Sequence, residues 1–474
     1  MIDEIMGVNY HIVTMTIYQP DISARSGPKY RAIAQAIGED IAAGKLTPGS
    51  QLPTHRDLAW RLGVTVGTVS RAYGEAARMK LVGGEVGRGT YVLDPARTDV
   101  PSLAAPPSHL IEMTQNSPPL GPHGAALSDS LRTLADLPNT NALLGYNTEV
   151  GPEVHRRAGA SWLARTGLEV TADDIIIMGG AQLALLSAMM SFTRADDPVL
   201  LEQLTYSQLI DEVHFAQRQP VSVALDDEGV DPTALDAACR ASGAKLLFIM
   251  PTLQNPTNAV MSLERRREIV EVARAHDLLM VEDDVYGYLM AERPPPIAAL
   301  SPERTIYVTS ASKCLAPGLR VAWVAAPPAL RPRLAEAARI TTVTQPAVMG
   351  AIASQWILEG QAEILLQWQR HEIAARYEIA KAALDGLDWR GHPSAFHVML
   401  HLPPPWTGES YAAAARQAGI TIQPISAFDA GANYAGQAVR ITLTQVPDHG
   451  ILATALSTLR QILERGPNRP RAVI

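Results

Sequence analysis

Five short apolar runs in this chain are each followed by residues able to do chemistry. Ile175-Ile176-Ile177-Met178 leads into Gly179-Gly180-Ala181-Gln182, small residues that open a helix around Leu183 to Met190. Backbone N–H groups at such a helix start make a ready anion site. Val199-Leu200-Leu201 leads to Tyr206, and Leu246-Leu247-Phe248-Ile249-Met250 leads to Asn255-Pro256-Thr257-Asn258. Leu278-Leu279-Met280-Val281 runs into Glu282-Asp283-Asp284-Val285-Tyr286. Thr305-Ile306-Tyr307-Val308-Thr309 runs into Ser310-Ala311-Ser312-Lys313, with Pro317-Gly318-Leu319-Arg320 just beyond. Singly, each has an ordinary reading: the lysine as a solvated loop residue, Asn-Pro as a turn, Asp-Asp as a helix cap. Jointly they offer an anion cradle, an aromatic ring, an amide, a carboxylate, a phenol, an amine and a guanidinium. Pyridoxal 5'-phosphate uses all of these: an amine for a Schiff base, an acid to keep its ring nitrogen protonated, donors for its phenolic oxygen and a cationic phosphate cup.

The runs that carry these residues are what strands buried on both faces look like. Alternating with helical patterns after Tyr146, they predict an α/β domain with a mainly parallel sheet. Ligands of such sheets sit beyond the carboxyl ends of the strands, where all the residues above fall.

A second set of residues lies near the N-terminus. Ile33, Ala34, Ile37, Ile41 and Ala42 recur at helical spacing until Gly44. Thr54 precedes a short helix with Leu58, Ala59 and Leu62 inward, ended by Gly63, and Thr65 precedes a third with Val69, Ala72 and Tyr73 inward. Two short helices about a glycine turn are a helix-turn-helix signature. Leu81-Val82-Gly83 and Thr90-Tyr91-Val92-Leu93 read as two strands around Gly87-Arg88-Gly89, which makes a wing. Thr65, Thr68 and Ser70 suit base contacts, and Arg56, Arg71 and Arg88 suit phosphates.

The charge distribution agrees. The whole chain of 474 residues has a formal net charge of -8, yet between Ala24 and Val100 there are 11 Lys and Arg against 7 Asp and Glu, and elsewhere 29 against 41. A basic N-terminal segment on an acidic body fits a DNA-binding module joined to a ligand-binding domain. With 47% hydrophobic residues the chain is too apolar for disorder and long enough for several domains. No apolar run is long enough to span a bilayer and Met1-Ile2-Asp3-Glu4 is acidic, so a soluble, cytoplasmic protein without membrane contact is expected. Cys239 and Cys314 are too few for a disulfide framework, and no metal is expected. Cys314 reads as a packed thiol. From Asp94 to Pro122 the chain is rich in proline, serine and small residues and reads as an extended tether. The expected domains are an extension over 1–27, a winged helix-turn-helix over 28–93, the tether over 94–122 and the large domain over 123–474.

Leu52-Pro53-Thr54-His55-Arg56-Asp57-Leu58-Ala59, with the Gly87-Arg88-Gly89-Thr90 wing, resembles the winged helix of the GntR family of bacterial repressors over about Pro28 to Leu93. The resemblance implies that Arg56, Thr65, Thr68, Gly87 and Arg88 touch DNA. Val66-Gly67 departs from the family, which often has an arginine after the threonine that opens the recognition helix. Roughly Leu110 to Leu463 resembles the fold-type I pyridoxal-phosphate enzymes of the aspartate aminotransferase superfamily. That implies Lys313 as the Schiff-base lysine and Ser310, Ser312 and Arg320 at the phosphate. Asp283 falls at the pyridine nitrogen, Tyr286 and Asn255 at the phenolic oxygen and Tyr206 on the ring. Arg440, within Val439-Arg440-Ile441-Thr442-Leu443, falls on a ligand carboxylate, and Tyr146, before Gly151 and Arg156, on the partner subunit's phosphate. Asn258 and Ala322 stand where the superfamily usually has glycine.

Together the halves resemble the MocR subfamily of transcriptional regulators. The resemblance implies a homodimer that binds operator DNA and senses pyridoxal phosphate or an amino compound by aldimine exchange at Lys313. The alternative is a working aminotransferase with an appended DNA-binding module.

Overall fold

The computed structural model describes residues 18–23, 27–47, 50–79, 81–85, 89–92, 110–146, 150–431 and 434–467. The chain divides into two units, residues 1–108 and 109–474.

In the first unit α1 (Lys29–Ala42), α2 (His55–Leu62) and α3 (Val66–Arg78) precede an antiparallel pair, β1 (Val82–Glu85) and β2 (Gly89–Val92). Thr54 caps α2 by accepting from the Asp57 N–H, and Thr65 caps α3 by accepting from the Thr68 N–H. Gly63 ends α2 at φ 60°, a left-handed conformation that glycine adopts without penalty. One small core holds the unit together, with Ile33, Ile37, Leu58, Val69, Val82 and Val92 buried in it. Tyr18 is buried in the same core and donates to Asp40 Oδ2 at 2.9 Å. The expected extension over 1–27 therefore does not stand apart from the winged helix at its C-terminal end, because an aromatic ring placed there gains by burial.

The second unit opens with β3 (Ile111–Glu112), α4 (His123–Ala135) and α5 (Glu153–Ala164). Next come β4 (Ile175–Met178), α6 (Ala181–Phe192), β5 (Pro198–Glu202), α7 (Ser207–Phe215) and β6 (Gln219–Val223). A small hairpin, β7 (Leu225–Asp226) with β8 (Gly229–Val230), precedes β9 (Leu246–Ile249), β10 (Leu279–Asp283), β11 (Thr305–Ser310) and β12 (Ala322–Ala325). A seven-stranded sheet runs in the order β4-β12-β11-β10-β9-β5-β6, all parallel except β12, which is antiparallel to both neighbours. The carboxyl ends of β4, β5, β9, β10 and β11 consequently share one edge. Every residue of β4, β9, β11 and β12 is buried, which accounts for the unbroken apolar runs of β4, β9 and β12 and for the apolar centre of β11.

A second sheet is antiparallel, built from β13 (Trp389–Gly391), β14 (His397–His401), β16 (Gln423–Pro424) and β17 (Ala438–Thr442) in the order β13-β14-β17-β16. The strand expected around Arg440 is β17. The short β15 (Ile420–Thr421) pairs in parallel with β3, and this overturns part of the expected tether. Residues 94–109 lie outside the described residues, whereas 110–122 belong to the second unit. Ile111 and Met113 donate backbone N–H bonds to Gly419 and Thr421, and Asn116 is buried. Composition alone misleads here, because the pairing partners lie some three hundred residues away.

Candidate cofactor site and nucleic-acid interface

On the winged helix, Arg56, Thr65, Ser70 and Arg71 are exposed and Thr68 is half-buried. The hydroxyls are engaged locally. Thr65 Oγ1 lies 2.9 Å from Thr68 Oγ1, and Ser70 Oγ lies 3.0 Å from Nδ1 of His55, whose ring packs edge-on to Tyr73 at 5.0 Å. The His55 contacts hold α3 against α2, and the Thr65–Thr68 bond closes the first turn of α3. Gly87 and Arg88, expected at the wing tip, lie outside the described residues.

In the second unit Ala181, Gln182, Tyr206, Asn255, Asp283, Tyr286, Ser310, Ser312, Lys313 and Arg320 line one cavity of about 540 Å³. An adjacent cavity shares Tyr206, Asn255, Tyr286 and Lys313 with it, and adds Asn116, Gln423 and Arg440. Lys313 sits in a one-turn helix, Ala311–Cys314, capped by Ser310, whose Oγ accepts from the Ser312 N–H at 3.3 Å. Ser312 Oγ is buried without a partner. The Lys313 amine donates to the Asn116 carbonyl. Burial pushes this amine down to about 8, with Arg440 and Arg320 adding to the shift and Asp283 opposing it.

Asp283 and Asp284 point opposite ways at the end of β10. Asp284 accepts from Arg293 at 2.6 and 2.7 Å and from the Tyr307 hydroxyl, all buried. Asp283 Oδ1 is buried with no partner, and burial raises its carboxyl to about 7, against the pull of the Val285 N–H and Lys313. Tyr286 accepts from Asn116 Nδ2 at 2.9 Å, and burial drives its phenol up to about 12. Asn255 Oδ1 accepts from Arg440 Nη1 at 3.0 Å.

Gly180, at φ 116°, precedes α6, and a Cβ there would lie 2.3 Å from Arg320 Nη2. The guanidinium thus occupies space that only a glycine leaves open, while donating to the Gly179 carbonyl at 3.1 Å. Arg440 is buried, donates to Gln423 Oε1 at 3.0 Å, and leaves its Nε without a partner. No ion pair engages it among the described residues, and burial pulls it down to about 10.

Tyr146 is not brought to this cavity; it is 86% exposed. Arg156 is used locally, donating to the carbonyls of Gly151 and Ala172. Asn258 takes up the left-handed φ of 60° that its glycine-like place requires, and its Nδ2 donates to the His397 carbonyl. Ala322 opens β12 with no strain. Cys314 is the packed thiol expected, its Sγ donating to the Ser310 carbonyl.

Sequence reasoning missed Asn116, Glu202, Gln254 and His397. Glu202 accepts from the Met250 N–H and from Gln254 Nε2, and Gln254 Oε1 accepts from the Thr257 N–H, which fixes the loop that carries Asn255. A signal was present for Glu202, a carboxylate ending a strand otherwise wholly apolar. Asn116 gave none within a proline-rich stretch.

Residues 108–455 match the family model of aminotransferase class I and II, and residues 29–92 that of the bacterial regulatory proteins of the gntR family. The uncharacterized HTH-type transcriptional regulator YdeF of Bacillus subtilis (strain 168) is 27% identical over 448 residues, 94% of this chain and 97% of that protein. The chain is a MocR-type regulator of the GntR family. Also similar to the MocR-type chain is the uncharacterized HTH-type transcriptional regulator YdcR of Escherichia coli (strain K12), 26% identical over 437 residues, 86% of this chain and 93% of that protein. Among solved structures, the kynurenine aminotransferase of Pyrococcus horikoshii, in complex with PMP, superposes with a TM-score of 0.70 at 25% identity over 76% of this MocR-type chain and 91% of its own. Among the described residues no helix is long and apolar enough to cross a membrane.

Proposed function

We propose that this MocR-type regulator holds pyridoxal 5'-phosphate on Lys313 and responds there to an amino compound, or to the cofactor itself, by changing how a cytoplasmic homodimer engages paired operator half-sites. The observation that carries the reading is a set of buried polar atoms without partners on residues that line the two adjoining cavities: Asp283 Oδ1, Ser312 Oγ and Arg440 Nε. An unsatisfied buried polar group costs about 1–3 kcal/mol, so three around these adjoining cavities fit polar ligands that satisfy them.

Each has a natural counterpart. Asp283 would hold a proton on the ring nitrogen, and its raised carboxyl would fall back once that cation lies beside it. The start of α6 over Gly180, Ala181 and Gln182 would hold the phosphate together with Ser310, Ser312 and Arg320. Tyr206 would cover the ring, and Asn255 and Tyr286 would face the phenolic oxygen. Tyr146, exposed in one copy, would reach the phosphate of the second. Bound there, the cofactor supplies an electrophilic carbon for which Lys313 and a free amine compete. Lys313, drawn down to about 8, is unprotonated in a useful fraction of molecules near neutral pH. Arg440 would select an effector carboxylate. Arg56, Thr65, Thr68, Ser70, Arg71, Gly87 and Arg88 would face DNA. The response can be no larger than the effector's differential affinity for the two states.

Capture of genomic fragments by cofactor-loaded protein at near-physiological salt tests the reading. Enrichment of a few sites with paired half-sites is expected. No enrichment with cofactor bound overturns it in favour of a working aminotransferase, whose groups all line the same cavities. Arg440→Ala separates the two kinds of effector: a loss of response indicates a carboxylate-bearing amine, and an unchanged response indicates the cofactor alone.

A further inference from the structure

We infer that His397 and Asn116 form a positioning relay that fixes Tyr286 as a hydrogen donor toward the cavity. The relay itself is built from this chain alone; only what the donated hydrogen meets rests on the cofactor reading. His397, on β14, is buried, and its Nε2 lies 3.1 Å from the Pro256 carbonyl. A carbonyl can only accept, so Nε2 carries the hydrogen. Burial, with the cations of Arg440 and Lys313 nearby, holds the imidazolium far below its ordinary range, and the ring is neutral. Nδ1 therefore presents a lone pair.

That lone pair lies 2.9 Å from Asn116 Nδ2, which must donate to it. A reversed amide would set its oxygen against the Nδ1 lone pair, so the histidine fixes the amide orientation, and in that orientation Thr442 Oγ1 donates to Asn116 Oδ1 at 3.0 Å. The second hydrogen on Asn116 Nδ2 then goes to the Tyr286 oxygen at 2.9 Å. An oxygen that already accepts from Asn116 turns its own hydrogen elsewhere, and Tyr286 lines both cavities. The ionisable groups around its ring, besides His397, are Asp283, Lys313, Arg440 and Tyr206, with the Lys313 amine 5.9 Å from the ring centroid. In a loaded site the acceptor is the anionic phenolic oxygen of the cofactor. A fixed donor stabilises that anion and lets the neighbouring proton leave at lower pH.

Two measurements test the relay. In the full-length chain without cofactor, labelled with 15N-histidine and with the His397 signal assigned by its loss in His397→Gln, the ring is expected to carry hydrogen on Nε2 alone and not to titrate between about pH 6 and 8. Hydrogen on Nδ1, or titration in that range, overturns the relay. After loading with pyridoxal 5'-phosphate, the pH midpoint of the visible absorbance is expected to rise by about one unit in Asn116→Leu, the size of weakening one hydrogen bond to a charged group. In a Tyr286→Phe background the same substitution is expected to add nothing, because the relay acts only through the phenol. Equal shifts in both backgrounds mark Asn116 as merely structural and overturn the proposal. A chain with the expected tautomer that takes up no cofactor overturns the cofactor assignment while the relay stands.

Discussion

In the winged helix the polar groups of α2 and α3 are exposed and bonded to one another, whereas in the second unit the groups around the cavity are buried and several have no partner. The difference teaches where each kind of ligand leaves its mark. Exposed hydroxyls can trade a neighbour for water or for a base edge at little cost, so a DNA surface carries no visible deficit. A buried carboxylate oxygen has no such exchange available, and its deficit is the ligand's imprint.

Substitutions can break this contrast. Lys313→Ala has the largest expected effect: complete loss of the covalent cofactor absorbance and of the effector response, with DNA retention by the cofactor-free chain largely unchanged. Absorbance and fragment capture on the same preparation read both. Next comes the pair of neighbours on β10. Arg293→Ala strands the Asp284 carboxylate inside the protein and is expected to cost about 3–5 kcal/mol in chemical denaturation. Asp283→Asn, which removes a carboxylate that has no cationic partner, is expected to leave the cofactor-free chain within about 1 kcal/mol of the parent while weakening cofactor uptake at least tenfold.

Specific to the second unit is a dependence on pH. Asp283, Glu202 and Glu212 are raised by burial to about 7, 8 and 8. The stability each contributes is fully present below the ordinary carboxylate range and is lost as pH rises through those values. Lys313 acts the other way: lowered to about 8, it penalises the fold below that pH and ceases to do so as pH approaches 10.5. Denaturation midpoints of the cofactor-free chain are expected to fall from about pH 5 to a minimum near pH 8 and then to recover. A flat profile would break the contrast between the units. The smallest effect is at the winged helix, where Thr65→Ala removes the cap of α3 and is expected to cost about 1 kcal/mol, read by the same denaturation.

Local signals carried most of the architecture. Thr54, Gly63 and Thr65 mark helix ends where the backbone needs them, and the five apolar runs became strands whose far ends gather the expected residues. What escaped was non-local or ambiguous. β6, Gln-Pro-Val-Ser-Val at the sheet edge, is too polar to announce itself, and β12 runs against its neighbours although its composition matches theirs. Asn116 has no local reason to be buried. Its partners Tyr286, His397 and Thr442 come from three other strands or strand ends, and proline and serine around it gave the opposite impression.

The end of β10 and the residue just after it are three consecutive acidic residues, Glu282, Asp283 and Asp284, and extended backbone sorts them by parity. Glu282 receives the backbone N–H groups of Ile297 and Ala298, Asp284 receives Arg293 and Tyr307, and only Asp283 turns to the cavity. A one-residue slip of this strand would still show the cavity a carboxylate, so the chemistry there could not by itself detect the error. The two architectural partners would: a slip in one direction sets Val285 against Arg293, which loses its counter-charge, and a slip in the other sets Val281 at the turn at Ile297, which loses its acceptor. The register of the catalytic-looking acid is thus proofread by its neighbours, from the side of the sheet opposite the cavity.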